Sequence, residues 1–309
     1  MQSRLHFEPS RITLGSAQLG IPYGIANTSG QPSEAEAFGI LDRAVELGIN
    51  TIDTARGYGT SENVIGKWMT SRSPRGIHVI TKVPKIPEGS DAERSKFLRA
   101  QIAASQKSLG VEPLTLVLAH DGSDLLDPII AGEFQSLVAS GAIRGFGASV
   151  YDPATAGRLI DTVPIMALQA PASIADRRFE LAGSLAAASR RGIAVFVRSI
   201  FLQGVLLMEP EHLPDHLKGF APFLAALAEA ARQSNQSIAT LAITTLRDIS
   251  AITSLVFGVD SANQLTSNVE AMTATPIPPA IRAELIQSAS RIPPDILLPT
   301  NWKHLVHRA

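Results

Sequence analysis

The feature that most limits the fold of this 309-residue chain is a rhythm, in which short apolar runs alternate with segments of helical periodicity from about residue 11 to about residue 290. Candidate strands fall at 11–15, 50–53, 78–82, 114–120, 143–149, 165–169, 194–199 and 254–258. Candidate helices separate them. Ser33 and Glu36 make a capping box, Phe38, Leu41 and Val45 recur at helical spacing, and Gly48 closes that helix. Further helices open at Ser61-Glu62, run over 91–109, pass through Ile129, Phe134 and Leu137, and occupy 153–162, 179–190, 220–233, 236–247, 262–272 and 279–290. An irregular connection is expected at 204–219. The connecting units have the size of βαβ crossovers, so the pattern predicts a parallel (β/α)8 TIM barrel in preference to an open doubly wound sheet. An open sheet would carry a phosphate-binding glycine loop after its first strand, whereas Gly15-Ser16-Ala17-Gln18-Leu19-Gly20 lacks the GxGxxG spacing, and neither that fingerprint nor a P-loop occurs elsewhere. No composition shift marks a boundary. Residues 1–309 therefore read as one α/β domain with loop insertions.

Composition narrows the partners. A hydrophobic content of 45% suffices for a large core, and a net charge of -1 from 27 basic and 28 acidic residues leaves no electrostatic footprint for nucleic acid or an anionic membrane. Small ligands are the expected partners. With no cysteine, disulfides, thiolate nucleophiles and cysteine metal sites are excluded. The amino terminus lacks the apolar core of a signal peptide and no apolar run is long enough to span a bilayer, so the expected location is the cytoplasm. His212 and His216 have i, i+4 spacing, but Pro214 lies between them and no neighbouring motif adds a third ligand. That pair, like His304 and His307, reads as surface residues, and no metal is expected. No feature speaks to oligomeric state.

The chemistry gathers at strand ends. Asp53 closes a short apolar run, and Gly57-Tyr58-Gly59 then turns the chain sharply enough to project a phenol from a loop. Lys82 and His120 end two further strands. In a parallel barrel, ligands bind at the carboxyl ends of the strands, and all four residues map there. A free tyrosine has a pKa of about 10; a cation from Lys82 is expected to ease it toward phenolate, with Asp53 keeping Lys82 charged and His120 hydrogen-bonding the substrate oxygen. Together they make a general acid aimed at a carbonyl or alcohol oxygen. Reduction also needs a hydride, which none of the four supplies and a nicotinamide cofactor would. Two other readings stay open at this point: a nucleotide-binding regulatory subunit with little turnover, and a non-redox lyase or epimerase using the same acid and lysine.

Several segments in order carry a resemblance: Asp53, Gly57-Tyr58-Gly59-Thr60-Ser61-Glu62, the strand ending in Lys82, Leu118-Ala119-His120-Asp121, residues 141 to 149 ending Gly145-Phe146-Gly147-Ala148-Ser149, and Gly258-Val259-Asp260-Ser261-Ala262-Asn263-Gln264-Leu265 with Asn268. From about residue 11 to 272 they are similar to the aldo-keto reductase superfamily. The resemblance implies a (β/α)8 barrel binding NADPH, or less often NADH, across the strand ends. It implies Tyr58 as the acid, supported by Asp53, Lys82 and His120, acting on a small aldehyde, ketone or alcohol. It also places Ser149 and Gln169 at the nicotinamide carboxamide, and Ser199, Gly258, Ser261, Gln264 and Asn268 at the pyrophosphate and adenosine end. Some positions depart from the pattern. Val150 stands where many members have an asparagine, and Arg198 stands where an aromatic ring often stacks on nicotinamide, a role a planar guanidinium can fill. Gly258, Val259 and Gln264 replace the lysine, serine and arginine of some branches, which leaves the choice between NADPH and NADH open; Ser261 and backbone N–H groups at a helix start offer an alternative phosphate contact. Specificity is expected in the loops after Ser16, at 23–29 and at 204–219, and near Trp302. An aromatic content of 5% suggests a pocket poor in aromatic walls, suited to a polar or sugar-like substrate.

Overall fold

The computed structural model describes residues 4–302. Eight parallel strands close on themselves in sequence order: β1 (Ile12–Gly15), β2 (Thr51–Asp53), β3 (His78–Val83), β4 (Leu116–Ala119), β5 (Phe146–Ser149), β6 (Ala167–Pro171), β7 (Ala194–Arg198) and β8 (Ser254–Gly258). The seam pairs β1 with β8 from Ile12↔Leu255 to Gly15↔Gly258. This is the (β/α)8 barrel that the strand and helix rhythm predicts.

Local signals set most of the helix ends. In helix Glu34–Glu46 both halves of the capping box form, Ser33 receiving Glu36 N–H while the Glu36 carboxylate takes the Ser33 N–H. Ser90 and Glu93 do the same for helix Asp91–Leu109, which stops at Gly110 with φ 67°. Three expectations shift in detail. The helix expected at 179–190 is broken into Arg178–Leu181 and Ser184–Arg190, because Gly183 takes φ 72° between them. The connection at 204–219 is built of short 3-10 pieces, Leu202–Leu207, Pro210–His212 and Asp215–Phe220, the first kinked at Gln203 and Gly204. The runs from 114 and 143 enter the barrel late, with Leu114 and Ile143 making an isolated bridge ahead of β4 and β5. No helix among the described residues is long and apolar enough to cross a membrane.

Strand side chains alternate between two faces. One face, with residues such as Ile52, Val79, Val117, Leu168 and Val197, packs into the large cluster that includes Leu41, Trp68, Leu98 and Phe134 from the helices. The other carries a small separate cluster, Ile80, Leu116, Leu118, Ala167, Phe196 and Val256, which fills the barrel interior. Two residues further along each strand, the same face reaches its carboxyl end. That layer is where the site lies.

Candidate active site

Period-two geometry assigns the layer without further assumption. Lys82 follows Ile80, His120 follows Leu118, Ser149 follows Gly147, Gln169 follows Ala167, Arg198 follows Phe196 and Gly258 follows Val256, while Asp53 ends β2. His120 is the first residue beyond β4 and not its last.

Lys82 is fully buried and its ammonium is saturated. Nζ donates to Asp53 Oδ2 at 2.6 Å, to the Thr54 carbonyl at 3.0 Å and to Tyr58 Oη at 3.3 Å, which accounts for all three of its N–H groups. Asp53 Oδ1 receives Gln169 Nε2 at 2.7 Å, so both carboxylate oxygens are engaged. Because Tyr58 Oη accepts from Lys82, its own O–H is left to point elsewhere. His120 meets the Tyr58 ring edge to face at 6.0 Å.

The loop that carries Tyr58 is fastened from below. Ser61 Oγ shares hydrogen bonds with Ser16 Oγ (2.7 Å) and Thr54 Oγ1 (2.9 Å). Buried Glu62 takes Arg56 on one oxygen and Thr81 on the other, each at 2.6 Å. Gly59 sits at φ 55°, and a Cβ there would come 2.4 Å from the Gly20 carbonyl oxygen. Gly59→Ala is therefore expected to lower stability by more than about 1 kcal/mol, read as a lower urea midpoint with unchanged slope.

Burial governs the protonation states. It raises the Tyr58 pKa well above the usual tyrosine value, the nearby negative charge of Asp53 adds to the rise, and Arg198 only partly opposes it. The phenol is thus protonated near neutral pH. The expected easing toward phenolate by Lys82 is not seen, since desolvation and Asp53 outweigh the one opposing charge, Arg198. Lys82 itself is pulled down by burial, against the pull of Asp53. His120 is lowered to about 4 by burial, with Lys82 and Arg198 adding to the shift, so the imidazole is neutral near pH 7. Since the folded value lies below the ordinary 6.5, the unfolded chain takes up a proton first, and stability falls as pH drops from about 6.5 toward 4. Nitrogen-detected NMR, assigned with His120→Gln, is expected to show a neutral His120 ring at pH 5.5; an imidazolium there would refute the assignment.

A cavity of about 710 Å³ opens over this layer. Tyr58, His120 and Asp53 line it, as do Arg198, Ser199, Gly258, Gln264 and Asn268. Four predicted residues are not part of its lining: Lys82, which lies beneath Tyr58, and Ser149, Gln169 and Ser261. Ser149 and Gln169 are fully buried, with Ser149 Oγ and Gln169 Oε1 lacking any hydrogen-bond partner. Ser261 caps helix Ala262–Ala271, accepting the Gln264 N–H. The Gln264 side chain accepts the Asp260 N–H at 2.7 Å.

The walls also correct the view of a pocket poor in aromatics. All three tyrosines of the chain, Tyr23, Tyr58 and Tyr151, line the cavity together with Phe201 and Phe257. Composition averages over the chain, whereas the aromatic rings are concentrated at one end of the barrel. Tyr151 lies two residues past the end of β5, a signal available in the sequence. The segment around Asn27 spans neighbouring loops, with Ile25 N–H donating to the Gln203 carbonyl (3.0 Å) and Asn27 Nδ2 to Asp260 Oδ1 (3.2 Å). Facing it, Ser199, Leu202 and Gln203 all take positive φ, of 64°, 47° and 55°, at about 1–3 kcal/mol each. Among the described residues no group of three His, Asp or Glu side chains could hold a metal ion; His212 is exposed and His216 partly buried, while His304 and His307 lie outside the described residues.

A parallel barrel with a buried lysine and carboxylate beneath a tyrosine defines a class of barrel enzymes, and the family comparison agrees. The Aldo/keto reductase family model matches residues 11–285, and the chain belongs to that family of nicotinamide-dependent oxidoreductases. D-threo-aldose 1-dehydrogenase of a Pseudomonas species is 28% identical, over 91% of this chain and 97% of that one. L-glyceraldehyde 3-phosphate reductase of Escherichia coli K12 is 24% identical over 85% of each. Aldo-keto reductase str7 of Strobilurus tenacellus is 32% identical over 51% of this chain, and the match spans about half (46%) of that relative. Among solved structures, aldo-keto reductase AKR11C1 from Bacillus halodurans in its holo form superposes with a TM-score of 0.72 at 25% identity, covering 94% of this chain and 95% of that one.

Proposed function

We propose that the chain reduces an aldehyde or ketone to its alcohol, or runs the reverse reaction, with a nicotinamide dinucleotide, and that Tyr58 is the proton donor. The observation that carries this reading is the saturated Lys82 ammonium. With its three donors fixed on Asp53, Thr54 and Tyr58, the phenol oxygen is held as an acceptor from below and its O–H faces the cavity. Burial keeps that proton on the phenol until a carbonyl oxygen gains negative charge. Neutral His120, on the same wall, offers one N–H to the same oxygen. Asp53 and Gln169 hold the lysine in place.

The chain's residues also fit the nucleotide. Ser149 Oγ and Gln169 Oε1 are buried polar atoms without partners, as expected of groups that complete their bonds on a ligand amide. Arg198 lies beside that end, and Ser199, Gly258, Gln264 and Asn268 with the N–H groups at the start of helix Ala262–Ala271 would hold the pyrophosphate and adenosine. When bound, the nucleotide supplies the hydride that the side chains lack. Among the described residues the walls at the adenosine end carry Asp260 and no lysine or arginine, so this charge pattern favours NADH at least as strongly as NADPH. The relatives that act on an aldose and on glyceraldehyde 3-phosphate support a small hydroxylated carbonyl as substrate.

The test is titration with NADPH and NADH separately, followed by a panel of aldehydes, ketones and sugars read at the nicotinamide absorbance. Binding of one nucleotide with carbonyl-dependent oxidation supports the reading. Binding without turnover points to a nucleotide-sensing role, and no binding overturns the cofactor assignment.

A further inference from the structure

The charges around the cavity leave one cation over. Lys82 is consumed by Asp53, Thr54 and Tyr58, and Asp53 by Lys82 and Gln169. Arg198, at the end of β7, belongs to none of the ion pairs among the described residues, which elsewhere join arginines to nearby carboxylates. Its guanidinium donates to the Val150 carbonyl (3.1 Å) and to Ser199 Oγ (3.3 Å) and lies 4.5 Å from the centre of the Tyr151 ring. Those two bonds use two of its five donors, and stacking on Tyr151 fixes the plane in which the rest are presented. The residue is partly exposed to the same cavity as Tyr58 and His120. A half-buried guanidinium with unused donors and no counter-ion is a binding site for a flat or tetrahedral anion.

The other groups nearby point the same way. Tyr23 lines the cavity, and burial raises its pKa, so its hydroxyl is a neutral donor. Arg198 ends β7 in the same strand-end layer as Lys82 and His120 and lines the cavity with Tyr23 and Tyr58, which places it at the reacting end.

Resting on the carbonyl-reductase reading, we infer that Arg198, with Tyr23 beside it, binds an anionic group of the substrate, a carboxylate or a phosphate, while the carbonyl of the same molecule meets Tyr58 and His120. The substrate class is then a short oxo acid, uronic acid or sugar phosphate, not a neutral aldehyde.

The test uses matched pairs: glyceraldehyde 3-phosphate against glyceraldehyde, and glucuronate against glucose, turned over by the parent, Arg198→Gln and Arg198→Lys. Which pair shows the effect tells phosphate from carboxylate. The readout is the ratio of kcat/KM for the anionic over the neutral member, so a general loss of rate cancels. The parent is expected to prefer the anionic member of at least one pair. Arg198→Gln lowers that ratio about 10- to 100-fold, mainly through KM, and Arg198→Lys restores part of it. A ratio unchanged by Arg198→Gln while both rates fall assigns the residue to the nucleotide or the framework and overturns the inference, as does a parent that prefers the neutral member of both pairs. Calorimetry of the nucleotide-loaded protein with unreactive glycerol 3-phosphate, against glycerol, separates the two readings. Arg198-dependent binding without turnover of any aldehyde keeps the anion site and removes the reductase; neither binding nor turnover removes both.

Discussion

Tyr58→Phe is expected to lower carbonyl turnover by about 10²- to 10⁴-fold and to leave nucleotide binding and the unfolding midpoint nearly unchanged. The variant removes one oxygen and keeps the ring, so its edge-to-face contact with His120 survives. Lys82 loses the longest of its three hydrogen bonds, 3.3 Å, and retains the 2.6 Å bond to Asp53 and the 3.0 Å bond to the Thr54 carbonyl. What disappears is the only group of this cluster whose proton burial holds in place and whose O–H is left free. The measurement is kcat alongside the nucleotide dissociation constant; a fall in both together would make Tyr58 a nucleotide contact, and unchanged kcat would remove it from the acid role. A second signature follows from the sign of the shift. Because the pKa of Tyr58 is raised, the donor form persists as pH passes 10, where an ordinary phenol begins to lose its proton. The reductive rate of the parent is expected to show no phenol-like decline at that pH.

How much of this the sequence discloses depends on what kind of physics places each residue. Asp53, Lys82 and His120 are legible because strand periodicity is local: an apolar run with alternating faces, ended by a polar residue on the inner face, puts that residue at the rim of a barrel. The same counting marks Gln169 and Arg198. Arg198 is the more telling, because its lack of an ion pair among the described residues depends on where the carboxylates of neighbouring loops are engaged, Asp152 as a helix cap and Asp176 with Arg178, and spacing within one strand carries no such information. Ser261 carries two readings at once. Its place in the Gly258 to Asn268 segment suggests a ligand contact, yet a serine directly before a helix is equally a cap, and in the fold the Gln264 N–H takes its oxygen. The state of Tyr58 was beyond reach for a related reason. A lysine near a tyrosine in sequence order suggests a lowered pKa, but the sign is decided by how much water the fold removes and by how firmly Asp53 holds that lysine. Breaks such as Gly183 were within reach, since a glycine inside a helical window is a standing invitation to a left-handed turn.

The ion pair beneath the phenol allows stability and chemistry to be told apart. Lys82→Met is expected to cost about 3–5 kcal/mol, because it leaves the buried Asp53 carboxylate with the Gln169 amide as its one remaining side-chain partner. Methionine nearly matches the length of lysine, so the loss is one of charge more than of volume. Replacing both members, as Asp53→Leu with Lys82→Met, removes the uncompensated charge and should recover most of the stability, as buried pairs exchanged for apolar side chains commonly do. Turnover should not recover. With no ammonium to hold the phenol oxygen as an acceptor, the Tyr58 O–H is free to turn inward, and the orientation that aims its proton at the cavity is lost. Urea unfolding and kcat measured on the two single variants and the double variant therefore give different patterns: stability recovers in the double variant, and rate does not. If the double variant regained activity along with stability, Lys82 would be a structural counter-ion for Asp53 and the proton donor would have to be oriented by other groups, with His120 the nearest remaining on the cavity wall.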